Sequence, residues 1–109
     1  MEERAITVNI VPVMLTPMEV AGGVAERVRT RRLDRGWSRA ELAGRAGVSE
    51  ETIKSFERRG QITLSRLLLI ARSLDALGEF EALFSPLPPQ SLEEIEARQH
   101  RRQRGRRRA

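Results

Sequence analysis

Between Ser49 and Arg59 the chain concentrates hydroxyl, carboxylate and cationic side chains at spacings that a helix would gather on one side. Lys54, Ser55, Arg58 and Arg59, with Glu50 and Glu51 a turn earlier, offer donors for anionic oxygens and donors or acceptors for the edges of heterocyclic bases. Ser49 and Thr52 stand at the start of the same stretch, and Arg39 lies ten residues before Ser49. This is chemistry of recognition, without bond making. The chain has no nucleophile elbow, no glycine-rich phosphate loop and no cluster of histidine, cysteine and carboxylate at metal-ligand spacing. Glu93, Glu94 and Glu96 are close together, but nearby arginines make them ordinary helix charges. His100 lies among arginines, and cysteine is absent. No catalytic residue, cofactor or metal is therefore expected, and an enzyme is the least favoured class. A plain alternative holds for the two glutamates, because carboxylates in a first turn simply complement the helix dipole.

Two short helices and a tight turn are expected to hold these groups. Ser38 with Glu41 forms a capping box that opens the first, Ala46-Gly47 closes it, and Ser49 caps the second. Ala43 is small enough to let the helix axes approach. Leu42, Ala46, Val48, Ile53 and Phe56 supply the apolar face between them. Upstream, Thr16-Pro17-Met18-Glu19 is a strong helix start. That helix should run to about Arg35, with Val20, Val24, Val28 and Leu33 inward. Downstream, Thr63 caps a helix of about 64–77 whose Leu64, Leu67, Leu68, Ala71 and Leu74 share a stripe. A short helix from Glu79 to Phe84 follows, with Phe80, Leu83 and Phe84 inward.

The ends read differently. Residues 5–15 are β-branched and interrupted by Pro12, so they suggest a short strand or extended arm, either paired with a symmetry mate or free as a leader. Residues 85–90 contain three prolines and form a stiff spacer. Ser91 with Glu94 opens a charged helix, and the arginine-rich end has too little apolar content to fold alone. The expected organisation is an arm at 1–16, an all-α helical domain at 17–84, a spacer at 85–90 and a charged helix and tail at 91–109.

Charge divides along the same lines. Of a net +5, residues 26–66 carry eleven cations against six anions, and residues 98–109 carry seven cations against none, whereas residues 67–97 carry one cation against six anions. Positive charge concentrated around the paired helices and the tail is the electrostatic footprint that phosphate would require. No apolar run approaches the roughly 20 residues that a membrane span needs, and Met1-Glu2-Glu3 does not resemble a signal peptide. A cytoplasmic location is expected.

With this spacing laid out, residues 17–77 resemble the lambda-repressor-like helix-turn-helix family, also called Xre, through Glu41-Leu42-Ala43, Ala46-Gly47-Val48-Ser49, Thr52-Ile53 and Phe56-Glu57. The resemblance implies a five-helix domain that binds double-stranded operator DNA, usually as a homodimer on a palindrome. It also implies a structural ion pair between Arg32 and Glu57. Where the family often has glutamine, this chain has Arg39, which can clamp phosphate. Base contact then falls to Glu50, Glu51, Lys54 and Ser55, and positioning on phosphate to Arg39, Ser49, Thr52, Arg58, Arg59 and Arg66.

More distantly, the stretch from Leu83 to Glu96 and the arginine-rich end resemble antitoxins of this type that accompany HipA-like kinase toxins. The expected function is a transcriptional repressor that autoregulates as an antitoxin. The alternatives are an interaction module that neutralises such a kinase through its tail, and a prophage-type repressor without a toxin.

Overall fold

A computed structural model of the protein describes residues 15–108, so the expected strand or arm before residue 15 lies outside the described residues. The described residues are all-α and contain no strand. Helices α1 (Pro17–Asp34), α2 (Arg39–Ala46), α3 (Glu50–Arg59) and α4 (Leu64–Ser73) precede a 3-10 turn (Leu77–Glu79), and α5 (Leu92–Arg108) lies beyond the proline spacer.

Local sequence explains where each helix starts. Thr16 accepts from the Glu19 N–H at 3.1 Å while the Glu19 carboxylate accepts from the Thr16 N–H at 2.9 Å. Ser38 and Glu41 repeat the arrangement at 3.0 Å each way. Ser49 and Thr63 cap α3 and α4 by accepting from the Thr52 and Arg66 N–H groups. Each cap satisfies donors that the helix itself cannot, typically worth about 1 kcal/mol.

Gly47 ends α2 in the left-handed region at φ 80°, and its N–H and that of Val48 both donate to the Ala43 carbonyl. That conformation reverses the chain within a few residues. α3 follows at once, packed across α2.

The core is small and continuous. Leu42, Ala43 and Ala46 of α2 meet Ile53 and Phe56 of α3, Ile70, Ala71 and Leu74 from α4 and its cap, Ala25 of α1, and Ala76. Ala43 is 5% exposed at the α2–α3 crossing, as its size demanded. Val24, Val28, Trp37, Val48, Ile62, Leu67 and Phe80 line the edge of this core.

Four elements differ from the sequence expectation. The arginine-rich end, expected not to fold alone, continues α5 as helix to Arg108. In α1 the buried positions are Ala25 and Arg32, while Val20 and Leu33 are about half-exposed. The inward face is thus rotated, because Arg32 enters the core with its charge compensated. In α4, Ile70 is fully buried and Leu64 is 63% exposed. The helix also stops at Ser73 rather than near residue 77, since Asp75 adopts φ 57° and the Ala76 and Asp75 N–H groups close back on the Ala71 and Arg72 carbonyls. This is a Schellman closure with aspartate in the place glycine usually takes.

The short helix expected over 79–84 is a 3-10 turn followed by further turns. No side chain caps it. Phe80 packs on the core, but Leu83 is 56% exposed and Phe84, at φ 59°, is wholly exposed.

Two ion pairs tie this end of the domain back to α1. Arg31 grips Glu79 through both carboxylate oxygens at 2.6 and 3.2 Å, and Arg35 donates to the Leu74 carbonyl and to Asp75. The Arg31 hydrogen bonds hold the Glu79 carboxyl below its ordinary range, against a smaller opposing effect of desolvation.

Candidate nucleic-acid interface

The outward arc of α3 follows from its inward one. Ile53 and Phe56 are 1% and 2% exposed, which fixes the rotation of the helix about its axis. At 100° per residue, Lys54, Arg58, Glu51 and Ser55 then occupy a contiguous arc of about 100° on the opposite side. Glu50, Glu51, Lys54, Arg58 and Arg59 are exposed, and Thr52 and Ser55 are half-buried. The structure thus brings the α3 candidates onto one projecting helix.

At its start, the Ser49 hydroxyl accepts from the Thr52 N–H at 3.0 Å and lies 2.8 Å from the Thr52 hydroxyl. Beside this end is a shallow groove of about 230 Å³ lined by Glu51, Thr52, Ser55, Gln61, Ile62 and Arg66. Arg66, in the first turn of α4, therefore borders the same surface. Gln61 and Ile62 were not singled out from sequence, because only the tertiary placement of the α3–α4 loop puts them there.

An ion-pair cluster sets the angle between α3 and its neighbours. Arg32 Nε donates to Glu57 Oε2 at 2.7 Å and its Nη2 to Oε1 at 3.0 Å, while Nη1 donates to the Trp37 carbonyl at 2.8 Å. The Arg32 and Glu57 side chains are 6% and 2% exposed. The expected pair is present. A second cation joins it, since Arg39 Nε donates to Glu57 Oε1 at 3.0 Å.

Burial alone would push the Glu57 carboxyl up; the hydrogen bonds and charges of Arg32 and Arg39 outweigh it and hold the carboxyl below the ordinary carboxylate range. One carboxylate of α3 is thereby clamped by α1 and by the first residue of α2. Arg39 keeps 38% of its side chain exposed, and its terminal nitrogens make no hydrogen bond among the described residues. It can clip the helices together and still present two donors outward.

Trp37, which sequence reasoning passed over, completes the support. The Arg35 and Arg45 guanidinium groups both lie over its ring, 5.1 and 4.3 Å from its centre. Stacked cations of this kind brace the corner between α1 and α2.

Among the described residues no group of three or more histidine, cysteine, aspartate or glutamate side chains could hold a metal. No described helix is long and apolar enough to cross a membrane.

Two helices crossing at a small-residue contact, the second presenting a polar and cationic arc, define a helix-turn-helix DNA-binding domain. Residues 28–79 match the family model described as Helix-turn-helix. The chain carries a domain of this lambda-repressor-like, or Xre, family. No curated protein matches it.

Proposed function

We infer that the protein is a sequence-specific transcriptional repressor that acts by occupying its operator as a homodimer. The observation that carries this reading is the α3 arc of Glu51, Lys54, Ser55 and Arg58, projecting from a helix whose other side is locked by Ile53, Phe56 and the Glu57 cluster. Laid in the major groove, α3 puts Lys54 and Ser55 within reach of base edges, and Glu50 or Glu51 can accept from cytosine N4. Arg39, Arg58, Arg59 and Arg66, with the hydroxyls of Ser49 and Thr52 and the free N–H groups at the starts of α2 and α3, bear on phosphates and fix the register. The two acidic residues lower general affinity and sharpen choice among bases. Two copies on a palindrome would place their α3 helices about 34 Å apart, one turn of the duplex.

The domain limits fit this division of labour. Residues 17–84 make the DNA-binding unit, residues 85–90 the spacer and residues 91–109 an appendage for a second partner. Within the spacer and α5, Arg98 donates to the Leu87 carbonyl and pairs with Glu94 at 2.9 Å, and Glu94 accepts from the Gln90 N–H. That backbone bond from Gln90 lowers the Glu94 carboxyl, with Arg98 adding to it against some desolvation. The spacer and α5 are therefore tied to each other. Together with the antitoxin resemblance, this supports a finer reading in which α5 presents its arginines to a kinase toxin and the repressor regulates its own toxin–antitoxin operon.

Footprinting on the chain's own promoter tests the first reading. It predicts two protected half-sites one helical turn apart, bound by two copies; a single protected half-site bound by one copy would overturn the dimer. Deleting residues 91–109 tests the second. Loss of toxin binding with operator binding intact supports it, and a uniform loss of affinity for all duplexes assigns the tail to phosphate instead.

A further inference from the structure

An open groove of about 270 Å³ runs between α1, α4 and the 3-10 turn, and no residue of α3 lines it. Val24 and Val28 line it from α1, Leu67 and Leu74 from α4 and its cap, and Phe80 and Leu83 from the turn and the residues after it.

Three charged residues share this lining, Arg27, Arg31 and Glu79. Two of them compensate each other, because Arg31 holds Glu79 by both carboxylate oxygens at 2.6 and 3.2 Å. Arg27 is exposed and makes no ion pair among the described residues. The groove therefore joins a hydrocarbon surface to one cation that no described carboxylate neutralises.

Gly23 explains how that cation lies where it does. The Arg27 side chain runs back along α1, and a Cβ at Gly23 would stand 3.2 Å from Arg27 Nη1 and 3.9 Å from its guanidinium carbon. Glycine is a poor helix former. Here its bare backbone lets the guanidinium lie against the helix.

A ligand that matches this lining has an aliphatic chain and one anionic end. A guanidinium donates two parallel hydrogen bonds to a carboxylate, which makes that the fitting anion. At about 30 Å³ for each water-sized group, the volume holds about nine non-hydrogen atoms.

We propose that the groove binds a free aliphatic carboxylate of about eight carbons, its chain on Val24, Val28 and Leu67 and its head on Arg27. The site shares no residue with the α3 arc, so operator affinity is a separate measurement and the repressor reading stands or falls apart from it.

Methyl NMR of the full-length protein, titrated with octanoate, tests the site. Saturable shifts should centre on Val24, Val28, Leu67 and Leu83, with affinity rising about fourfold for each methylene added between hexanoate and octanoate. Octylamine, cationic at neutral pH, should bind at least about tenfold more weakly than octanoate. Arg27→Glu changes an exposed residue, so it should leave the helical circular dichroism intact while reversing that order. Shifts that fail to saturate, or that spread evenly over all methyl groups, would overturn the proposal. Equal affinity for octanoate and octylamine, or an unchanged order in Arg27→Glu, would overturn it too. Groove methyl groups that respond to protein concentration and ignore octanoate would assign the surface to a second copy of the chain and equally refute it.

Discussion

Replacing Arg32 with methionine isolates the contribution of the ion-pair cluster beneath the recognition helix. The change keeps an unbranched side chain in the core but removes both hydrogen bonds to Glu57 and the one to the Trp37 carbonyl. Glu57, whose side chain is 2% exposed, is left with one bond from the partly exposed Arg39. Removing one partner of a buried pair costs about 3–5 kcal/mol, and the surviving Arg39 contact argues for the lower end, about 3 kcal/mol. At about 4–8 °C per kcal/mol for a domain of this size, Tm should fall by about 12–24 °C.

Urea unfolding followed by circular dichroism at neutral pH measures the loss. The companion variant Arg32→Met with Glu57→Leu removes the stranded charge as well, and it should recover at least about 2 kcal/mol of the loss, because apolar replacement of both partners is often close to neutral. A single-variant loss below about 1 kcal/mol, or strictly additive losses in the double variant, would refute the reasoning.

Other consequences follow from the same contacts. The native Glu57 carboxyl is held below its unfolded value, so its contribution to stability is fully present above the ordinary carboxylate pKa of about 4.3 and is lost as pH falls through the depressed native pKa; Glu57→Gln should flatten that acid limb in urea titrations. Gly60→Ala should cost about 2 kcal/mol or more, since φ is +70° and an added Cβ would stand 3.1 Å from the Ala21 carbonyl carbon. Gly44→Ala, helical with open space around it, should instead stabilise by up to about 1 kcal/mol in the same urea unfolding experiments. On DNA, Arg58→Ala should weaken binding to all duplexes alike, whereas Lys54→Ala should reduce discrimination between operator and unrelated duplex by about 1–3 kcal/mol.

Much of this architecture is legible from local signals. The Ser38/Glu41 box, the Gly47 reversal and the Ser49 cap are written within a few residues of where they act, and they locate α2 and α3 almost to the residue. The α3 arc follows from Ile53 and Phe56. Reading the outer helices by hydrophobicity alone goes astray for a physical reason. In α1 a core position is filled by an arginine whose partner lies 25 residues away, so Val20 looks like core and Arg32 like surface.

Likewise, Asp75 in a left-handed conformation ends α4 where a leucine-rich pattern would continue it. Arg39 as a second partner of Glu57, and two guanidinium groups over the Trp37 ring, depend on helix crossing angles that no short window of sequence contains.

Fluorescence anisotropy with a labelled duplex from the chain's own promoter, titrated across a salt series, tests DNA recognition most directly. About 6–8 phosphate contacts would make log K fall with log salt at a slope of about −5 to −7, with the promoter duplex bound far more tightly than a scrambled one. No binding to that duplex, or an affinity indifferent to salt, would contradict the account.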